Sequence, residues 1–259
     1  MLGIASNTGL SQQLFTDFSK LATTGKVKAS MTEHHLDGWG IAGYLGNWAV
    51  HFGRSSGGVD NSLAEFDMAA KKLLLSNSKI SLSHLRKASA GDIRLENTHP
   101  FVFENWIFCH NGTVHDPEKI SLKNINYEGT TDSEKLFHFI KSRLTQKNLR
   151  DYAGAVHQAV LDLREKCNYT SLTFLISNGD YLIGYRDFLE EDEYYTLNYS
   201  RVPGHVIFCS EKLAGFNWNE MKNNEIVIAS KHGDFIHKYN FSDNAMDQRL
   251  IPSYAELLK

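Results

Sequence analysis

A chain of 259 residues, 42% hydrophobic and 22% charged, has ordinary globular composition and enough length to bury its own core. Its 27 Lys+Arg against 30 Asp+Glu leave a formal net charge of -3, which disfavours nucleic acid as the main partner and an anionic membrane as an electrostatic anchor. Cys109, Cys167 and Cys209 are an odd number without zinc spacing and cannot form a disulfide framework; without a signal-like start or a long apolar run, a soluble, cytoplasmic protein is expected.

Leu10, Leu14, Phe15, Phe18 and Leu21 recur at helical spacing after Ser6-Asn7-Thr8 and predict a short amphipathic helix. Trp39 to Tyr44 and Trp48 to Phe52 read as two half-buried strands joined by a Gly46-Asn47 turn. Ser62 with Glu65 resembles a capping box, opening a helix whose buried stripe is Leu63, Phe66, Ala70, Leu73 and Leu74. Ile80 to Leu85 and Trp106 to His110 read as strands, and the loop from Ala88 to Phe101 between them is expected to wall a site. A second capping box, Thr131 with Glu134, opens a helix through Leu136, Phe137, Ile140 and Leu144, and another helix spans Tyr152 to Glu165.

Strands dominate the remainder: Thr170 to Ile176 and Tyr181 to Tyr185 around Asn178-Gly179-Asp180, then His205 to Cys209, Glu225 to Ser230 and Phe235 to Tyr239. No repeat or Pro- or Gly/Ser-rich linker divides the chain, so residues 1–259 are expected to form a single domain. The acidic run Glu190-Glu191-Asp192-Glu193 reads as a solvated loop. Neither His34-His35 nor His110 with His115 has a third ligand at a suitable spacing, so no metal is expected.

Three features carry chemistry. The apolar strand ending at His110 runs directly into Asn111-Gly112, which is either a tight turn or a pair of neutral donors converging on an oxyanion. Arg86 leaves the end of a core strand, and its guanidinium fork suits a carboxylate. Asp132 stands where a helix begins, either capping it or binding an ammonium. Together the three would recognise the zwitterion of an amino acid while its side-chain carbonyl is attacked.

Five ordered segments share this pattern with a known family: Asp37-Gly38-Trp39-Gly40-Ile41-Ala42, Ser83-His84-Leu85-Arg86-Lys87-Ala88-Ser89, Glu96-Asn97-Thr98-His99-Pro100-Phe101, His110-Asn111-Gly112 and Thr131-Asp132-Ser133-Glu134. In them the sequence resembles the class II glutamine amidotransferases of the N-terminal nucleophile hydrolase superfamily, most of all the short, stand-alone type. The resemblance implies an α+β fold of four layers, αββα, with two antiparallel sheets between helices. It also implies that Arg86 binds a substrate α-carboxylate, Asp132 its α-ammonium, and Asn111 with the Gly112 N–H the oxyanion. Ser89, Thr98 and His99 would line or brace the glutamine pocket, while Asp37-Gly38-Trp39-Gly40 would be structural.

The expected reaction is hydrolysis of the γ-carboxamide of L-glutamine or a γ-glutamyl amide through a cysteine thioester, without a cofactor and with an acceptor or synthase subunit in trans as a possible partner. Family members expose an N-terminal cysteine by removal of the initiator Met. Met1-Leu2-Gly3-Ile4 aligns just downstream of that cysteine, so the expectation is a nucleophile immediately upstream of Met1 and a first strand whose head points into the cavity. The alternative is a non-catalytic amino-acid-binding or scaffold subunit. Cys109, inside a strand, is expected to be packing only.

Overall fold

The computed structural model describes residues 1–7, 11–28, 34–122, 125–145 and 147–242. The chain opens with β1 (Leu2–Ser6), α1 (Gln12–Thr24), the hairpin β2 (Trp39–Leu45) and β3 (Trp48–Ser55), α2 (Leu63–Leu75) and β4 (Ile80–Leu85). It continues with β5 (Phe101–Phe103), β6 (Trp106–Asn111), α3 (Asp132–Leu144) and α4 (Leu149–Lys166). β7 (Thr173–Ser177), β8 (Tyr181–Arg186), β9 (Asn198–Val202), β10 (His205–Cys209), β11 (Trp218–Glu220), β12 (Glu225–Ser230) and β13 (Phe235–Asn240) follow.

The strands form two antiparallel sheets, one ordered β11-β9-β10-β1-β4-β2-β3 and the other β13-β12-β8-β7-β6-β5. Period-two alternation sorts their side chains into three apolar layers. Leu2 and Ile4 of β1, Ile41 of β2 and Ile207 of β10 pack under α1 and α2, whose Phe15, Phe18, Phe66 and Leu73 complete that layer. Phe108, Phe174 and Ile183 face Leu136, Ile140, Val156 and Val160 of α3 and α4 on the other side. Ala5, Leu82, Ile107, Leu175 and Phe208 fill the space between the sheets. This is the αββα sandwich that the resemblance implies. No helix among the described residues is long and apolar enough to cross a membrane.

Several local expectations are corrected. β2 is buried along all but its last residue rather than half-buried, because helices cover one face and the second sheet the other. Ser62 makes no capping bond: its hydroxyl donates to the Gly58 carbonyl and accepts from the Trp39 indole. Leu63 is therefore not in the α2 stripe but 48% exposed, and Ala69 takes its place. The Thr131 box is one-sided. Thr131 Oγ1 accepts from Glu134 N at 3.2 Å, but the Glu134 carboxylate turns away to Glu128 N and Gly129 N. Of the first predicted helix, Leu10, like the preceding Thr8, lies outside the described residues.

Candidate functional site

Alternation also assembles the site. In β4, Ile80 and Leu82 point between the sheets, so His84 and then Arg86, just past the strand, fall on the same face. In β6, Ile107 and Cys109 do so, and Asn111 follows them at the strand end. β1 lies between β4 and β10 with Leu2 paired to Ser83 and Cys209, which brings Met1 to the same mouth of the sandwich. There the Met1 amine donates to Ser210 Oγ at 2.9 Å, and Ser210 N returns a bond to the Met1 carbonyl.

A cavity of about 90 Å³ opens at this point, with Met1, Arg86, Ser89, His99, Asn111, Gly112 and Asp132 among its walls. It has room for roughly six to nine water-sized groups, the scale of a single amino acid. Arg86 is 3% exposed; its guanidinium donates only to the backbone carbonyls of Asp37, Ala90 and Asp92, at 3.2 to 3.4 Å. Burial lowers its pKa, and Asp37 pulls the other way. Asp132 is 4% exposed, and its Oδ2 accepts from Val114 N at 2.6 Å. Among the described residues, neither Arg86 nor Asp132 has an ion-pair partner. Asp37, whose carbonyl takes one of these bonds, has its carboxylate engaged by Ala88 N and Lys87. A buried cation and a buried anion thus share one small cavity with backbone partners but, among the described residues, no ion pair, a costly arrangement that a zwitterion would relieve.

Asp132 is the first residue of α3 and not its cap, a role that Thr131 fills. Its carboxylate stands in the first turn of α3. Asn111-Gly112 is not a hairpin turn either, since the chain runs on past it to bridge Val114 to Tyr169. Among the described residues neither the Asn111 amide nor the Gly112 N–H has a hydrogen-bond partner. Position 112 excludes any side chain, because a Cβ there would stand 2.0 Å from the Ser171 carbonyl oxygen. Both residues therefore bring unengaged neutral donors to the cavity wall.

Ser89 accepts from the Thr113 hydroxyl at 2.8 Å. His99 borders the cavity with its ring centre 4.5 Å from that of His84, the two rings tilted by 31°; burial lowers both imidazoles well below the usual histidine value, reinforced by His99 and Arg86 for His84 and by His110 and Arg86 for His99. Thr98 is not a wall residue. Fully buried, it donates to the Arg94 carbonyl and packs against Gly38, whose own carbonyl accepts Arg86 N at 2.7 Å. His110 is engaged by the Ser133 hydroxyl and the Ser171 carbonyl, each at 2.9 Å. Burial lowers its pKa while Asp132 opposes the shift.

None of the three cysteines lines the cavity. Burial pushes the Cys209 thiol up to about 11 and the Cys109 thiol higher still, so neither is a thiolate near neutrality. Motif reading missed Lys28, His35, Tyr194, Tyr195, Ser210 and Glu211, which also line the cavity. They lie outside the five segments and arrive from the stretch between α1 and β2, the loop after β8 and the end of β10, which leave no local signature. No group of three or more His, Cys, Asp or Glu among the described residues is placed to hold a metal ion.

The profile of the family described as Glutamine amidotransferases class-II matches residues 1–201. YafJ of Escherichia coli, which carries a glutamine amidotransferase name, is 30% identical over 187 residues, covering 68% of this chain and 71% of that protein. A protein of the same name class from Haemophilus influenzae is 29% identical over 169 residues; the match spans 61% of this chain but only 54% of that protein. Among solved structures, a glutamine amidotransferase from Pseudomonas aeruginosa aligns with 91% of this chain and 98% of its own at 22% identity and a TM-score of 0.57. The glutamine phosphoribosylpyrophosphate amidotransferase of B. subtilis aligns with 95% of this chain and 49% of its own at 17% identity, TM-score 0.64. At these identities the structural likenesses speak to the fold.

Proposed function

The chain belongs to the class-II glutamine amidotransferases, and on that premise we propose that it binds L-glutamine or a γ-glutamyl amide in the cavity at the head of β1 and hydrolyses the γ-carboxamide there. One observation carries the reading: buried Arg86 and buried Asp132, each without an ion-pair partner among the described residues, share a cavity of amino-acid size with donors of Asn111 and Gly112 that no described residue engages. Arg86 would take the α-carboxylate and Asp132 the α-ammonium, leaving the side-chain carbonyl oxygen to Asn111 and Gly112. Ser89 and His99 would border the substrate, and Thr98 would support Arg86 through Gly38.

The thioester route needs a thiol beside a free amine, and the head of β1 is where the two would meet the substrate. A cysteine on the amino terminus ahead of Met1 would use its α-amine, of pKa about 7.7 to 8.0, to accept the thiol proton. Sulfur would attack the carbonyl carbon of the γ-carboxamide, the accepted proton would pass to the departing nitrogen as the C–N bond breaks, and ammonia or an amine would leave. Water would then split the thioester to release glutamate and restore the thiol. Whether nitrogen passes to a synthase subunit in trans or is simply released belongs to the same proposal.

Titration calorimetry with L-glutamine tests the pocket. Binding by the chain is expected to weaken by about 2–4 kcal/mol in Arg86→Ala and in Asp132→Ala, since each leaves one end of the ligand uncompensated; glutamine affinity unchanged from the unaltered chain in both variants would remove the assignment. Catalysis is tested by extending the chain to begin Cys-Xaa-Met1 and measuring ammonia release beside a Ser-first control. A Cys-first protein that binds glutamine but never releases ammonia would leave the binding-subunit reading in its place.

A further inference from the structure

Lys28, Tyr194 and Tyr195 line a part of the cavity outside the segments that carry Arg86, Asn111 and Asp132, taken here as its outer end. Past Gly112, Thr113 N donates to Thr170 Oγ1 at 3.1 Å, and the Tyr195 hydroxyl donates to the same oxygen at 2.8 Å. Tyr195 thereby stands next to the place where the scissile amide would lie, and its ring carries Lys28. The Lys28 ammonium lies 4.7 Å from the centre of that ring and 5.5 Å from the centre of the Tyr194 ring, and it donates to Glu191 Oε2 at 2.7 Å. Lys28 lines the cavity, with Glu191 behind it.

Neighbouring contacts fasten the stretch after α1 to the acidic loop and to the turn after β10. Lys26 Nζ donates to the Glu193 carbonyl at 3.0 Å, and Lys26 N donates to Glu211 Oε1 at 2.8 Å. The stretch after α1, on the outer face of one sheet, is thus tied across the cavity mouth to the acidic loop after β8. That loop is exposed along Glu190 to Glu193, as its composition suggested, and Glu191 and Glu193 supply these contacts from it.

Glu191 itself adopts φ 59, the left-handed region that side chains avoid, while its carbonyl accepts from Tyr194 N and Tyr195 N. Such a conformation costs about as much as a partly exposed ion pair gains, so stability alone does not account for the pair. Its outcome is positional: it holds an ammonium flat against two tyrosine rings at the wall of a cavity already sized for one amino acid.

We propose that Lys28 and Glu191 form a clasp over the outer end of the cavity that sets the size of the group carried on the γ-nitrogen. Closed, the clasp admits an unsubstituted carboxamide; released, it admits aryl- or alkyl-substituted γ-glutamyl amides. This rests on the glutamine-pocket reading above. Substrate range then depends on a cation–π and ion-pair contact and not on the residues that hold the glutamyl moiety.

The test is calorimetry on the full chain, Glu191→Gln and Lys28→Ala, each titrated with L-glutamine and with L-γ-glutamyl-p-nitroanilide. The ratio of anilide to glutamine affinity is expected to rise about fivefold in both variants, the factor that one such ion pair supports. A ratio unchanged or lowered in both, with glutamine still bound, overturns the clasp alone. Absence of glutamine binding by the unaltered chain overturns the pocket reading on which the clasp depends.

Discussion

At the scale of single residues, the chemistry was most legible where it sits beside strand ends. Arg86, Asn111 and Gly112 each follow an apolar run, and a run fixes which way its successor points once the sheets are stacked. Asp132 was legible as a helix start but misassigned as a possible cap, because Thr131 and Asp132 both suit that position and only the fold tells them apart. Lys28, Tyr195 and Ser210 were illegible, since they lie outside the motifs in three separate stretches that only the tertiary fold brings to the cavity. The separation of binding from turnover can be checked at Asn111. In the Cys-first protein, Asn111→Ala is expected to lower the rate of ammonia release roughly 100-fold while glutamine affinity shifts little, because oxyanion donors act chiefly on developing charge. Matching losses in rate and affinity would make Asn111 a ground-state contact instead.

Elements show a similar division. Strands with strong apolar runs, such as β10 and β12, were found with their observed limits, whereas β5 and β11 are three residues long and give no period to detect. β9, Asn-Tyr-Ser-Arg-Val, was missed because polar residues occupy most of a strand that is nonetheless buried over its first half. The spacing of elements, in contrast, depends on a few glycines. A Cβ on Gly40 would stand 2.4 Å from the His99 carbonyl oxygen and 2.9 Å from Pro100, so β2 and the loop carrying His99 approach as closely as bare backbone allows. Gly40→Ala is therefore expected to cost about 1–3 kcal/mol or more in urea unfolding, with glutamine affinity falling alongside as the His99 wall is displaced. Gly57→Ala, whose Cβ would meet only Ser55 Oγ at 3.6 Å, is the control and should change neither quantity appreciably.

Over the whole molecule, stability is coupled to acidity through histidines that folding keeps neutral. Burial, the leading cause in each case, lowers His51, His138 and His157 to about 4 and His84 and His99 well below 6.5. Unfolding returns each to its ordinary value near 6.5. Between about pH 6.5 and 4 the unfolded chain thus binds protons that the folded chain refuses, so stability present above that window is lost as pH falls through it. Glu134 and Glu225, raised by burial, work in the opposite sense but are outnumbered. The melting temperature, followed by circular dichroism, is expected to drop steadily from pH 6.5 to 4; a flat or rising profile would refute the coupling. The placement of β1 has a consequence of another kind, in the order of synthesis. β1 is flanked in its sheet by β4, roughly eighty residues later, and by β10, roughly two hundred residues later. During translation it therefore waits with one edge unpaired until β10 has emerged, and the cavity at its head cannot close around a ligand before then. A ribosome-bound chain halted within α4 holds Arg86, Asn111 and Asp132 but lacks the strand that seals them together.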